Sequence, residues 1–138
     1  MAQNTPKTIL CVDDDPHMLS SLRRLLNSPK YTLLLAQGPD AALQRVQELT
    51  PDLVILDFMM PGMNGIEVLR RMREQGLTDV PVVMLTARGS SRDMMHGYQE
   101  GVVYYITKPF RNEHVLNVVE YLVGDLNETE REELALRL

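Results

Sequence analysis

The chain contains no tryptophan, two phenylalanines and a single cysteine. With Cys11 alone no internal disulfide can form, which fits a reducing compartment. Cys11 lies within an apolar run and reads as a small buried filler rather than a reactive thiol. No apolar stretch approaches the roughly 20 residues needed to cross a bilayer. The first one, TILCV (8–12), is cut short by acids and does not follow a signal-peptide plan. A cytoplasmic protein with no membrane association is therefore expected. Positive charge is also scarce, with 14 Lys and Arg against 19 Asp and Glu and a net charge of −5. Arg23 and Arg24, like Arg70 and Arg71, fall on helical patterns and read as solvated faces, so this domain carries no nucleic-acid footprint of its own. The three histidines, His17, His96 and His114, are far apart, lack ligand spacing and are expected at the surface.

What remains is ordinary globular composition in 138 residues, enough for one domain with a real core. Short apolar runs alternate with longer amphipathic ones. Strands are expected at 8–12, 31–36, 53–56, 80–85 and 102–107. The run LVIL (53–56) is continuous, as befits a strand buried on both faces. Pro81 sits at the start of its run, where it harms a strand least. Helices are expected at 17–27, 39–49, 65–75, 90–101 and 112–126. Pro16 suits a first helical turn behind an aspartate cap. The second helix would set Ala42, Leu43, Val46 and Leu49 on one face, and the third Ile66, Leu69 and Met72. Five strand–helix pairs imply an α/β fold, a doubly wound parallel sheet with helices on both faces. Ligands of such sheets bind at the carboxyl ends of the strands.

The residues at those ends carry the chemistry. Strand one runs into Asp13, Asp14 and Asp15, and strand three into Asp57. Thr86 follows strand four, and Lys108 with Pro109 follows strand five. Two like charges about 4 Å apart repel by roughly 4 kcal/mol at an effective dielectric of ~20. Three adjacent carboxylates therefore call for a cation. Clustered carboxylates suit Mg²⁺, which takes one or two of them together with waters and phosphate oxygens. A carboxylate can also act as nucleophile and form an aspartyl phosphate. A lysine and a hydroxyl can then hold the oxygens of the transferring group.

The segments ILCVDDDP, DLVILDFMMPGMNGIEVL, VVMLTAR and YYITKPF, in this order, resemble the motifs of the response-regulator receiver domain of two-component signalling. The likeness covers about residues 7–124. It implies a flavodoxin-like (βα)5 fold with strand order 2-1-3-4-5. By position, Asp57 resembles the phosphoacceptor, and Asp13 and Asp14 the acidic pair that binds Mg²⁺ (or Mn²⁺) with it. Asp15 is then a helix-capping residue. The resemblance assigns the Met59 backbone carbonyl to the metal, Lys108 to the phosphate and Thr86 to the switch hydroxyl. Tyr105 resembles the switch aromatic, and the Lys108–Pro109 bond is cis in the family. The implied donor is a sensor histidine kinase or a phosphotransfer protein. The implied output is a fused domain, a downstream protein or a phosphorylation-dependent homodimer, reached through the fourth-helix, fifth-strand and fifth-helix face. That face is expected to include Met94, Met95, Tyr98 and Tyr104. The loop before the last strand departs from the family, since GVVYY (101–105) is apolar where a small residue and an acid are usual.

Two other readings fit less well. A haloacid-dehalogenase-type phosphatase, a true enzyme, also uses an aspartate after its first strand, and Asp13 and Asp15 give its Asp-x-Asp spacing. His17 then stands where a small or hydroxylated residue belongs, no late acidic pair follows, and Asp57 has no role. A receiver-like module that takes no phosphate would not need the full set of acids, Thr86 and Lys108. The expected protein is thus no enzyme beyond its own phosphorylation and dephosphorylation. Residues 1–126 are expected to form the receiver and 127–138 a tail or the start of a linker helix, opened by a capping box of Thr129 and Glu132.

Overall fold

A computed structural model describes residues 5–87 and 91–138, leaving aside the side chains of 91–93. Chain order is β1 (Lys7–Asp13), α1 (Pro16–Leu25), β2 (Tyr31–Gln37), α2 (Pro39–Glu48), β3 (Leu53–Asp57), α3 (Gly65–Glu74), β4 (Val82–Thr86), α4 (Ser91–Gln99), β5 (Val102–Thr107), α5 (Asn112–Val123) and α6 (Glu128–Ala135). The strands form one parallel sheet in the order β2-β1-β3-β4-β5.

Alternation along the strands sorts the core into two halves. Leu10, Val12, Val54, Leu56, Val82 and Met84 pack on one side with Ala42, Ile66, Leu69 and Met72. Ile9, Cys11, Leu53, Ile55, Val83 and Leu85 pack on the other with Leu19, Leu22, Val115 and Val119. Both faces of the central strands are thus covered, which explains their unbroken apolar runs. Burying a side chain of this size contributes roughly 1.5–3 kcal/mol.

Several details differ from the sequence reading. β4 begins at Val82 rather than 80. Pro81 has no N–H to offer but its carbonyl accepts from the Val54 N–H at 3.1 Å. α2 ends at Glu48, and Leu49 adopts extended backbone, turns off the helical face and is 45% exposed. α5 ends at Val123 because the chain turns extended at Gly124. The capping box of α6 is Asn127 with Glu130, not Thr129 with Glu132. The Asn127 carboxamide accepts from the Glu130 N–H at 2.8 Å, and the Glu130 carboxylate accepts from the Asn127 N–H at 3.1 Å. His114 is half-buried rather than at the surface, its ring 5.7 Å from that of Tyr104. Arg70 is not merely solvated, because its Nε donates to Glu100 at 2.9 Å and its Nη2 lies 2.9 Å from His96 Nε2. Ser90, the expected first residue of the fourth helix, lies outside the described residues. Among the described residues no helix is long and apolar enough to cross a membrane.

Candidate functional site at the carboxyl edge of the sheet

Strand register builds the site. Cys11 pairs with Ile55 and Val12 with Leu56, so the next step along both strands brings Asp13 to Asp57. Asp57 itself pairs with Leu85, one residue before Thr86, and Thr86 pairs with Thr107, one residue before Lys108. Four strand ends therefore deliver their side chains to one edge. The Lys108 N–H donates to the Thr86 carbonyl at 2.7 Å, tying the last two ends together. The Lys108–Pro109 peptide bond is cis.

The carboxylates converge as a group. One oxygen from each of Asp13, Asp14 and Asp57 lies within 4.8 Å of the others. Asp13 and Asp57 are 1% and 4% exposed, and Asp14 is the most open of the three. Lys108 Nζ donates to Asp57 Oδ1 at 2.9 Å and to Asp13 Oδ2 at 3.3 Å. The other Asp13 oxygen accepts from the Asp15 N–H at 2.9 Å. The Asp15 side chain stays out of the cluster. Its carboxylate accepts from the His17 N–H at 2.9 Å and caps α1, as its place before Pro16 suggested.

Electrostatics follow from burial. Desolvation raises the Asp13 carboxyl above the usual carboxylate range, and the Asp57 charge pushes the same way; the Asp15 N–H and the Lys108 ammonium pull it back only in part. Burial alone would depress the Lys108 ammonium, but its hydrogen bonds and charge contacts with Asp57 and Asp13 outweigh that and hold it above its ordinary value. Among the described residues the site is thus acid-rich, with the Lys108 ammonium as its compensating charge. Its donors are hard oxygens in the number and spacing a divalent cation uses.

A residue that the sequence reading passed over shapes the site. At Gly65, the first residue of α3, a Cβ would lie 2.8 Å from the Asp57 carbonyl and 3.0 Å from Phe58 Cα. Its N–H donates to the Phe58 carbonyl at 2.8 Å, closing the loop after β3 onto the start of α3. Only glycine allows that approach, and the glycine of MNG (63–65) was the available signal. Met59 stands on this loop with its side chain 65% exposed. Thr86 is 2% exposed at the end of β4. Tyr105 lies apart from the acids, half-buried against the α2–α3 half of the core and edge-on to Tyr98 at 5.2 Å.

A cavity of about 720 Å³ opens at the opposite, amino-terminal end of the strands, beside Lys7, Lys30 and Tyr31. Three of its lining side chains, Tyr31, Glu120 and Asp52, already have partners. Tyr31 donates to Glu120 at 3.0 Å, and Asp52 accepts from the Thr8 N–H at 2.8 Å. The acid–lysine cluster lies at the other end of the strands from this cavity.

Residues 9–120 match the model of the response regulator receiver domain. The chain belongs to that family. Among curated relatives, the transcriptional regulatory protein ResD of Bacillus subtilis is 37% identical over 129 residues, 94% of this chain and 53% of ResD. The DNA-binding response regulator MtrA of Mycolicibacterium smegmatis is 43% identical over 103 residues, 75% of this chain and 44% of MtrA. The chain spans about half the length of these relatives. Among solved structures, the chemotaxis protein CheY4 of Vibrio cholerae superposes with a TM-score of 0.81 at 27% identity, over 86% of this chain and all of CheY4. The receiver is a signalling domain of two-component systems, and its sheet order is the one the motifs implied.

Proposed function

We propose that this receiver accepts a phosphoryl group on Asp57 from a histidine kinase or phosphotransfer protein and relays its presence to a partner or output domain. The observation that supports this reading most is the Lys108 ammonium, which lies 2.9 Å from Asp57 and 3.3 Å from Asp13 while Asp14 completes the acidic group. An Asp57 carboxylate oxygen attacks phosphorus, a P–O bond forms, and the bond to the donor imidazole breaks with the nitrogen leaving. Attack removes negative charge from Asp57 and brings in phosphoryl oxygens, which the Lys108 ammonium is placed to hold. Asp13, Asp14, Asp57 and the Met59 carbonyl would hold Mg²⁺, or Mn²⁺. The bound cation supplies positive charge against the phosphoryl oxygens.

The Thr86 hydroxyl then turns to those oxygens, and Tyr105 shifts into the space left behind. The signal leaves through α4, β5 and α5, where Met95, Tyr98, Val103 and Leu116 are exposed and suit adaptable contacts. Val103 is set out there by an irregularity in the β4–β5 register between Val82 and Val83. The partner is a second copy of the chain, a downstream protein or a fused output domain; the relative MtrA is a DNA-binding response regulator about twice the length matched here.

The test is self-labelling with acetyl phosphate and Mg²⁺, read by intact mass. One phosphoryl group per wild-type chain is expected, and none after chelation or in Asp57→Asn. Labelling that persists in Asp57→Asn overturns the assignment.

A further inference from the structure

α4 contains a glycine in its interior, at Gly97, where glycine weakens a helix by about 1 kcal/mol relative to alanine. Neither a turn nor a positive φ calls for it. Its surroundings do. Gly97 is buried, and a Cβ built there collides with the Tyr105 hydroxyl, lies 2.9 Å from Tyr105 Cζ and sits 3.3 Å from Val102 Cγ2. The hydroxyl end of Tyr105 thus rests directly on the α4 backbone, in a slot that exists because residue 97 has no side chain. The Tyr98 ring stands edge-on to the Tyr105 ring at 80° and flanks the same slot.

We propose that Gly97 is a positioning residue for Tyr105, holding the aromatic ring in its resting orientation and making α4 the element that senses its movement. This rests on the role given above to Tyr105 as the mobile aromatic. Tyr105 has two orientations to choose between only if one of them has a seat, and that seat is the backbone at Gly97. Any side chain at 97 removes the seat and displaces the ring before phosphorylation. Among the described residues, Arg70 of α3 also reaches His96 of α4 and Glu100 just beyond it, so displacement of the ring loosens α4 from β5 while leaving this hold on α3. None of these groups touches the acid cluster, so self-labelling of Asp57 should be insensitive to residue 97.

The experiment compares wild type, Gly97→Ala, Tyr105→Ala and the double variant. In the wild-type background Gly97→Ala is expected to lower the melting temperature, because the methyl and the tyrosine cannot coexist. In the Tyr105→Ala background the same change is expected to lower it much less or to raise it, because the tyrosine is gone and only the 3.3 Å approach of Val102 Cγ2 opposes the gain in helix propensity. In Gly97→Ala the NMR ring signals of Tyr105 should already be shifted without any phosphoryl analogue, and their response to beryllofluoride with Mg²⁺ should shrink by about fivefold or more. Equal melting-temperature changes in both backgrounds, or Tyr105 signals unmoved by Gly97→Ala, overturn the proposal. If wild-type Tyr105 itself ignores beryllofluoride, the role of Tyr105 as a switch falls and the proposed sensing by α4 falls with it. A melting-temperature change that differs between the two backgrounds would then leave Gly97 standing only as a packing site.

Discussion

At the scale of single residues the described site sets buried negative charge against the Lys108 ammonium. Two substitutions probe it with opposite signs. Asp13→Asn keeps an oxygen for the Asp15 N–H and removes a carboxylate that burial and Asp57 hold above its ordinary range. Without metal it should raise stability by about 1 kcal/mol, roughly 3–4 °C for a chain of this size. Lys108→Ala leaves Asp13 and Asp57 buried without their ammonium and should lower stability by about 2 kcal/mol. Thermal melts with Mg²⁺ complete the comparison. A cation at ten times its Kd adds about 1.4 kcal/mol to wild type, should add more to Lys108→Ala and should add little to Asp13→Asn. Equal Mg²⁺ shifts in all three would remove the metal from this cluster.

Cys11 supplies a pH prediction free of the site. Burial pushes its thiol up to about 12. A raised native pKa stabilises the fold fully below the unfolded value of about 8.5, and that contribution is lost as pH rises from there through about 12. The native thiol should therefore resist an alkylating reagent at pH 8 and react once the chain is unfolded in denaturant. Rapid native alkylation would contradict its place in the core.

At the scale of elements, α6 shows how a polar segment can serve a neighbour. α5 ends without a basic residue in its last turn. Arg131 of α6 donates to the Tyr121 carbonyl at 2.8 Å and lies 4.5 Å from the centre of the Tyr121 ring. It thereby brings positive charge to the negative end of α5. Arg131→Ala should lower the melting temperature by roughly 3 °C, or about 1 kcal/mol, and leave Asp57 labelling intact. An unchanged melt would show α6 to be a passive tail.

The strands and helices α1 to α5 were legible in the sequence because their apolar periods are strong. Their ends were less so, since termini depend on local backbone rather than on period. Leu49 continues the apolar spacing of α2 but falls one residue beyond its end. In the tail, Thr129 and Glu132 fit a capping pattern, yet Asn127 fits it two residues earlier and is the one used. The acid–lysine cluster was legible because each member follows a recognisable strand. Gly97 and the Arg70 contacts were not, and Gly65 was only hinted at by the MNG segment, because each acts through a close approach in space that apolar spacing does not reveal.

At the scale of the whole molecule the sheet connects the acid–lysine edge to the α4, β5 and α5 face proposed to carry the signal. Asp57 ends β3, Thr86 ends β4 and Lys108 follows β5, so two register steps separate Asp57 from the outer strand. The central claim is that occupancy of Asp57 is felt at α4, β5 and α5. Hydrogen–deuterium exchange of the wild-type chain in Mg²⁺, with and without beryllofluoride, tests it most directly. Changed exchange is expected at the Asp57 loop and across α4, β5 and α5, with β2 and α2 unaltered, and all of it should vanish in Asp57→Asn. Changes confined to the loop around Asp57, or an identical response in Asp57→Asn, would contradict the account.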